Sequence, residues 1–419
     1  MARLILALAA LCALAGLALP AVAEVRLERV VLVQRHGVRP PTVSNAELAK
    51  YSDRPWPAWP VGPGELTPHG GKVVALLGKT LRKTYTAAGL IPAHGCAGAG
   101  RIAVWADNAD ERTRHSGQVL AESLAPGCGV KAAWSDAKPR DPIFGAPTEA
   151  ACHADPADDA AAFAKAAGPD GSVTPKTRAA IDRLQLILAP KACSGGAGLC
   201  LASIPGPDKV EAGPGGAKFS GPVFTTLALA EDIYLEYAEG MPMSDVGWGR
   251  ASRADIDAIM PAHERFFELL RLNTFQASRR GAAMARVILA SLAGEPIKTV
   301  PAIGPDARLV ALAGHDGNLS QMAGVFGLNW SLPQDQPDAT APATTLAFEL
   351  WKDTASGETF VRPVLYYATL DQLRTLAPAI ARKLPLQFDD CASGPMGSCS
   401  LETVRKRVEA LLPEDCGEI

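Results

Sequence analysis

The sequence predicts an α/β fold: a mostly parallel central sheet flanked by helices, with a smaller all-α domain inserted into it. Three observations carry that reading. The apolar run at 30–33 and the strand-like stretches at 101–106 and 308–313, each apolar after a leading arginine, end in polar residues and give way to a helical pattern, as the strands of an open α/β sheet do. Between about 150 and 290 strand-like runs disappear and helical periodicity takes over. The α/β pattern then resumes. The expected division is therefore 24–150 with 290–419 for the α/β domain and 151–289 for the insertion.

Residues 1–23 stand outside that fold. Arg3, an apolar run from Leu4 to Leu19 and Ala21-Val22-Ala23 make the basic, hydrophobic and small-x-small parts of an export signal, cut after Ala23. Gly16 and Pro20 interrupt the run, which falls short of the ~20 apolar residues of a membrane span. No later stretch is long and apolar enough, so the expectation is a soluble periplasmic or secreted protein with no membrane partner once the signal is cut. Of nine cysteines, Cys12 leaves with the signal, and the remaining even number suits disulfides in an oxidising compartment. Cys193/Cys200 and Cys391/Cys399 each bracket a short glycine-containing loop and read as local staples. Without a CxxC pair, cysteine-bound metal is not expected. The formal net charge of −3 shifts by one unit when Arg3 is lost; with no long basic run, nucleic acid is not an expected partner.

The run at 30–33 is β-branched or aliphatic throughout and leads to Arg35-His36-Gly37-Val38-Arg39-Pro40-Pro41-Thr42, where a glycine and a proline pair cannot continue a sheet. One imidazole thus stands between two guanidinium groups. The planar fork of arginine suits phosphate oxygens, and neighbouring cations disfavour imidazolium, which leaves His36 a free lone pair at mildly acidic pH. Arg54-Pro55-Trp56-Pro57-Ala58-Trp59-Pro60 reads as a stiff extended segment. Leu66-Thr67-Pro68-His69-Gly70-Gly71 then opens a helix to about Arg82 with Val73, Val74, Leu77 and Leu81 on one face. The run at 101–106 ends in Asp107-Asn108-Ala109-Asp110-Glu111-Arg112-Thr113-Arg114. A helix with Val119, Leu120 and Leu124 follows, so Arg112 sits at a helix start whose amides favour anions.

Helical periodicity marks 157–167, 177–188, 222–239, 253–272 and 278–293, while 189–221 reads as a Gly/Pro/Lys loop. The run at 308–313 leads to Gly314-His315-Asp316-Gly317-Asn318 and a helix holding Leu319, Met322 and Val325. His315 is of a type to contact an anion and Asp316 of a type to act as general acid. Strands are expected at 344–351 and 359–368, as a hairpin around Ser356-Gly357, and a last helix at 400–412 that buries Leu401, Val404, Val408 and Leu411.

With these motifs in this order, the chain resembles the histidine acid phosphatases, branch 2 of the histidine phosphatase superfamily, and within them the bacterial periplasmic phytases and glucose-1-phosphatases. The resemblance rests on Arg35-His36-Gly37-x-Arg39-x-Pro41 with His315-Asp316, and on the segments at 55–60, 66–71, 106–114, 240–242, 247–250 and 314–318. It implies phosphomonoester hydrolysis in the cleft between the two domains, with His36 as nucleophile and Asp316 as proton donor. Arg35, Arg39, Arg112 and His315 would hold the phosphoryl oxygens, and Thr42, Glu231, His263 and Arg280 would line the substrate pocket. Disulfides Cys96–Cys128, Cys152–Cys416, Cys193–Cys200 and Cys391–Cys399 are likewise implied, with no metal or cofactor, a monomeric state and a small phosphomonoester, phytate or a sugar phosphate, as partner. Val43 departs from the pattern: phytase-like relatives carry a lysine there. The preferred expectation is an acid phosphatase with phytase activity, ahead of a glucose-1-phosphatase-like sugar phosphatase. A non-catalytic phosphate-ester binding protein is disfavoured by the intact His36 and Asp316, and a phosphoryl-transferring mutase by its need to exclude water.

Overall fold

The computed structural model describes residues 25–136, 141–145, 152, 155–213, 216–333, 335–377, 382–389, 391 and 394–416. The export signal expected at 1–23 lies outside them. Strand β1 (Val25–Arg35) is followed by the short α1 (Asn45–Leu48) and by α2 (Pro68–Ala87). Next come β2 (Ile102–Ala106), α3 (Glu111–Leu124) and the two-residue β3 (Ala132–Ala133). A largely helical block holds α4 (Pro156–Ala167), α5 (Pro175–Leu188), β4 (Lys209–Gly213), β5 (Gly216–Ser220), α6 (Pro222–Ala238), α7 (Arg253–Leu272) and α8 (Thr274–Ala293). The chain returns to the sheet with β6 (Leu309–Gly314) and continues through α9 (Asp316–Phe326), β7 (Thr345–Asp353), β8 (Thr359–Tyr367) and α10 (Leu370–Thr375). It ends with β9 (Arg382–Pro385), β10 (Cys399–Ser400) and α11 (Leu401–Glu409).

The sheet runs β10-β8-β7-β1-β6-β2-β3, with β9 also paired to β8. Its core is parallel, as expected: β6 lies between β1 and β2, and β3 follows β2. From β1 outward β7, β8, β9 and β10 extend it antiparallel. Alternation along β1 sends Val30 and Leu32 to one face and Val31 and Val33 to the other, and both faces are covered. The first face packs against α2, α3 and, through a continuous core, α5, α6 and α7. The second packs against α8, α9 and α11. In packing, α8 therefore belongs with the sheet, although all but its last turn falls within 151–289.

Local sequence explains where the helices begin. Pro68, Pro156, Pro175 and Pro222 occupy first turns, where a missing N–H costs nothing, and Thr67, Asp155 and Thr174 cap three of them. Each such cap contributes about 1 kcal/mol. Two expectations need correction. The segment 189–221 is not all loop: its Val210-Glu211-Ala212 and Ala217-Lys218-Phe219 stretches pair as the antiparallel hairpin β4–β5, so the helical block is not all-α. The last helix stops at Glu409, so Leu411 is exposed and Leu412 takes the buried place beside Val404 and Val408. All four implied cysteine pairs lie at bonding distance, Cys152–Cys416 closing the longest loop. Among the described residues no helix is long and apolar enough to cross a membrane.

Candidate active site

The C-terminal ends of β1, β6 and β2 are stitched together by main-chain hydrogen bonds. His36 N–H donates to Gly314 O (2.9 Å), Arg35 N–H to Thr344 O (3.0 Å), Ala343 N–H to His36 O (2.9 Å) and Asp107 N–H to Ala313 O (3.0 Å). From the other side the start of α2 clamps the loop after β1, with Thr67 N–H donating to Val38 O (3.1 Å). A Cβ on Gly37 would fall 2.4 Å from Gly70 O, and one on Gly70 would fall 2.2 Å from Val38 O. Backbone passes backbone here with no room for a side chain on either strand of the contact, which is what the two glycines supply.

His36 is buried, and its Nδ1 lies 2.8 Å from Gly37 O. A carbonyl only accepts, so Nδ1 carries the hydrogen and the lone pair resides on Nε2. Burial first, and then the charges of Arg112, Arg35, His315 and Arg39, push the imidazole well below its usual pKa. The ring is therefore neutral under mildly acidic conditions. It meets the His315 ring edge-on, with centroids 5.5 Å apart.

Around it the three arginines are held by carboxylates. Glu231 on α6 bridges two of them, Oε1 accepting from Arg35 Nη2 and Oε2 from Arg39 Nη2 (2.7 Å). Burial alone would raise the Glu231 carboxyl, but Arg39 and Arg35 hold it well below the usual range. Asp316, the first residue of α9, places Oδ2 3.0 Å from Arg35 Nη2, while its Oδ1 accepts from Gly317 N–H (2.8 Å). Arg112, in the first turn of α3, pairs with Asp110 (3.0 Å) and donates to Gly64 O (3.3 Å). The Nε–H groups of Arg35, Arg39 and Arg112 are buried and have no partner among the described residues. Unsatisfied buried donors are rare and costly, and three on neighbouring guanidinium groups suit an anion.

Of the pocket-lining residues the sequence proposes, Glu231 and His263 join this group and Thr42 stands exposed against Gly64 at its rim. His263 is buried, 3.7 Å from Glu231 and 3.2 Å from Glu264. Burial opposes its charge, but Glu264 and Glu231 raise it to about 10, so the ring is a fixed cation. Arg280 lies on α8, where its Nε–H donates to Gln276 Oε1 (2.8 Å). Sequence reasoning gave no role to Asp107, which is fully buried and receives His315 Nε2–H at 2.7 Å. Its signal was its place directly after β2, diluted by the acidic residues that follow. Asn318, also unassigned, fixes the approach to α9 by accepting from His315 N–H (2.9 Å) and donating to Phe144 O (3.1 Å). Asp232, next to Glu231, is buried and its carboxyl is pushed up to about 8, chiefly by desolvation.

Among the described residues, two clusters bring potential metal-ligand atoms within 4.8 Å of one another: Asp107, Asp110 and His315, and Glu231, His263 and Asp316. Each is already interleaved with guanidinium groups, Arg112 on Asp110 and Arg35 on both Glu231 and Asp316. A divalent cation there would face those charges, whereas an anion would be drawn to them.

Comparison with known proteins bears on the same residues. The family described as the histidine phosphatase superfamily (branch 2) matches residues 26–182 and 211–366. This chain belongs to that family. The histidine phosphatase described here is 32% identical to phytase AppA of Escherichia coli (strain K12) over 413 residues, covering 93% of each chain. It is 25% identical to a glucose-1-phosphatase of Providencia rettgeri, covering 92% of this chain and 91% of the relative. In three dimensions it resembles the Hafnia alvei phytase solved with tartrate at a TM-score of 0.84 and 30% identity, over 95% of this chain and 100% of that one. The Citrobacter braakii phytase gives a TM-score of 0.84 at 29% identity, over 94% and 99%.

Proposed function

We propose that this histidine phosphatase is an exported phosphomonoester hydrolase, an acid phosphatase that accepts phytate, working through a phosphohistidine on His36. The observation that carries the reading is a neutral, buried imidazole with its lone pair on Nε2, set among three arginines whose Nε–H donors are unpaired. Nε2 attacks phosphorus in line with the departing alcohol. Arg35, Arg39 and Arg112 bind the phosphoryl oxygens and stabilise the charge that spreads over them, with His315 as a further donor. A dianion arriving on Arg35 takes that guanidinium from Asp316, whose carboxyl is then placed to give a proton to the leaving oxygen. Water then attacks the phosphohistidine and frees phosphate, so one hydrolysis becomes two easier displacements.

Substrate choice depends on the rim. Val43 is 40% exposed next to Thr42 and supplies no cation, which favours a sugar phosphatase; the fixed charge of His263 behind Glu231 favours a highly phosphorylated ester. The likeness to phytases in sequence and structure tips the choice to phytate. Turnover of phytate, glucose-1-phosphate and nitrophenyl phosphate, compared across acid pH, tests this: a preference for glucose-1-phosphate over phytate would replace phytase by sugar phosphatase. Rapid quenching under alkaline conditions should trap phosphate on His36, and failure to label that residue would remove the mechanism. Chelators should leave all three activities unchanged, as assayed before and after dialysis against EDTA.

A further inference from the structure

The geometry points to Ser116 as a positioning residue that fixes the reactive tautomer of His36 through Gly37. The inference rests on His36 being the nucleophile. Gly37 is held by hydrogen bonds on both sides of its residue: its N–H donates to Ser116 Oγ (3.1 Å), and its C=O accepts His36 Nδ1–H (2.8 Å). Ser116 is fully buried and lies four residues after Arg112, on the same face of α3. One helix face therefore supplies both a phosphate-binding cation and the anchor of the nucleophile's loop.

The anchor itself is rigid. A Cβ on the next residue, Gly117, would come within 3.1 Å of Ala106 Cβ, 3.2 Å of Ala132 Cβ and 3.4 Å of Ala313 Cβ, so the bare glycine lets α3 sit directly on the sheet at β2, β3 and β6. The same sheet positions His36 through Gly314 O. Helix, glycine peptide and imidazole thus share one frame. Without the hydroxyl, the Gly37 N–H loses its buried acceptor. Gly37, with no Cβ to restrain its φ and ψ, can then turn, and Nδ1–H loses the Gly37 carbonyl that keeps the lone pair on Nε2. Misalignment of the attacking atom lowers the chemical rate while the arginines still bind phosphate.

The test uses the full-length enzyme with Ser116→Ala and Ser116→Cys, the latter keeping the size of the side chain but weakening its acceptor. For Ser116→Ala, kcat on nitrophenyl phosphate should fall roughly 10- to 100-fold, with inhibition by inorganic phosphate unchanged. The loss in Ser116→Cys should be intermediate. Nitrogen-15 spectra of the His36 ring, assigned by difference from His36→Ala, should show Nδ1–H in the wild type and a mixture of tautomers in Ser116→Ala. An unchanged kcat in a folded variant would overturn the inference. So would a loss shared equally by phosphate inhibition with the tautomer intact, since that marks general damage to the pocket. If Ser116→Ala does not fold, Ser116→Cys decides on the same criteria. Absence of a trapped phosphohistidine in the wild type would instead sink the assignment of His36.

Discussion

Glu231 and Glu349 are both buried carboxylates that hold arginine, yet their surroundings differ in kind. Glu349, in the antiparallel part of the sheet on β7, collects Arg362 (2.6 Å) and Trp351 Nε1–H (3.1 Å) on Oε2. Its Oε1 accepts from the hydroxyls of Tyr85 and Tyr366, both at 3.4 Å. None of these side chains has a buried unpaired polar atom among the described residues. Glu231, at the C-terminal edge of the parallel strands, bridges two arginines that each keep an unpaired Nε–H, beside a third that does the same. One network is closed, tying α2, β7 and β8 together. The other is left incomplete, and incompleteness in a buried polar network marks a place that awaits a ligand.

The contrast predicts that changes at one network cost activity and at the other stability. The largest effect is expected for His36→Ala, which should lower turnover by on the order of 10⁴-fold or more while circular dichroism and melting behaviour stay native. Next is Asp316→Asn, with a loss of roughly 10²- to 10⁴-fold on alkyl phosphates and a much smaller one on nitrophenyl phosphate, whose leaving group needs no proton. Equal losses on the two ester types would take Asp316 out of the proton-donor role.

Glu349→Ala should destabilise the fold by about 3–5 kcal/mol, read from denaturant midpoints, because Arg362 is left uncompensated. Its kcat per folded molecule should be native. Glu231→Gln sharpens the comparison: it exposes Arg35 and Arg39 to each other, and added inorganic phosphate should recover its melting temperature by supplying an anion, whereas Glu349→Ala should not respond beyond the wild-type shift.

The smallest effect concerns pH. His263 is raised to about 10 in the fold from an ordinary 6.5, so the native state binds more protons than the unfolded chain between those values. Its contribution is complete below about 6.5 and is lost as pH rises through 10. His263→Gln should therefore flatten the decline of stability over that alkaline window. His36 acts in the opposite sense: its lowered pKa means that the unfolded chain takes up the proton first, so stability falls as pH drops below about 6.5.

The unequal legibility of the sequence has the same origin as this contrast. Strands buried on both faces are apolar, so 30–33 and the stretches that follow Arg101 and Arg308 can be read directly, and the polar residues that end them supply much of the site. The helices of the middle block show their buried stripes, and Pro175 and Pro222 mark two of their starts. What escapes is short or distant. The hairpin β4–β5 has five residues per strand and Gly-rich ends, too few for a pattern against a Gly/Pro background. Leu411 and Leu412 differ by one step of helix, and only the end of α11 at Glu409 decides which is buried. The bridging of Arg35 and Arg39 by Glu231 joins residues nearly two hundred positions apart and becomes visible only once the fold brings α6 to the end of β1.

The interlocked glycines at 37 and 70 limit how this enzyme can diversify. Any side chain at either position would lever α2 away from the loop that carries His36, so this part of the site can change only by several coordinated substitutions. Thr42 and Val43, farther along the same loop, carry exposed side chains that can be exchanged singly without disturbing that contact.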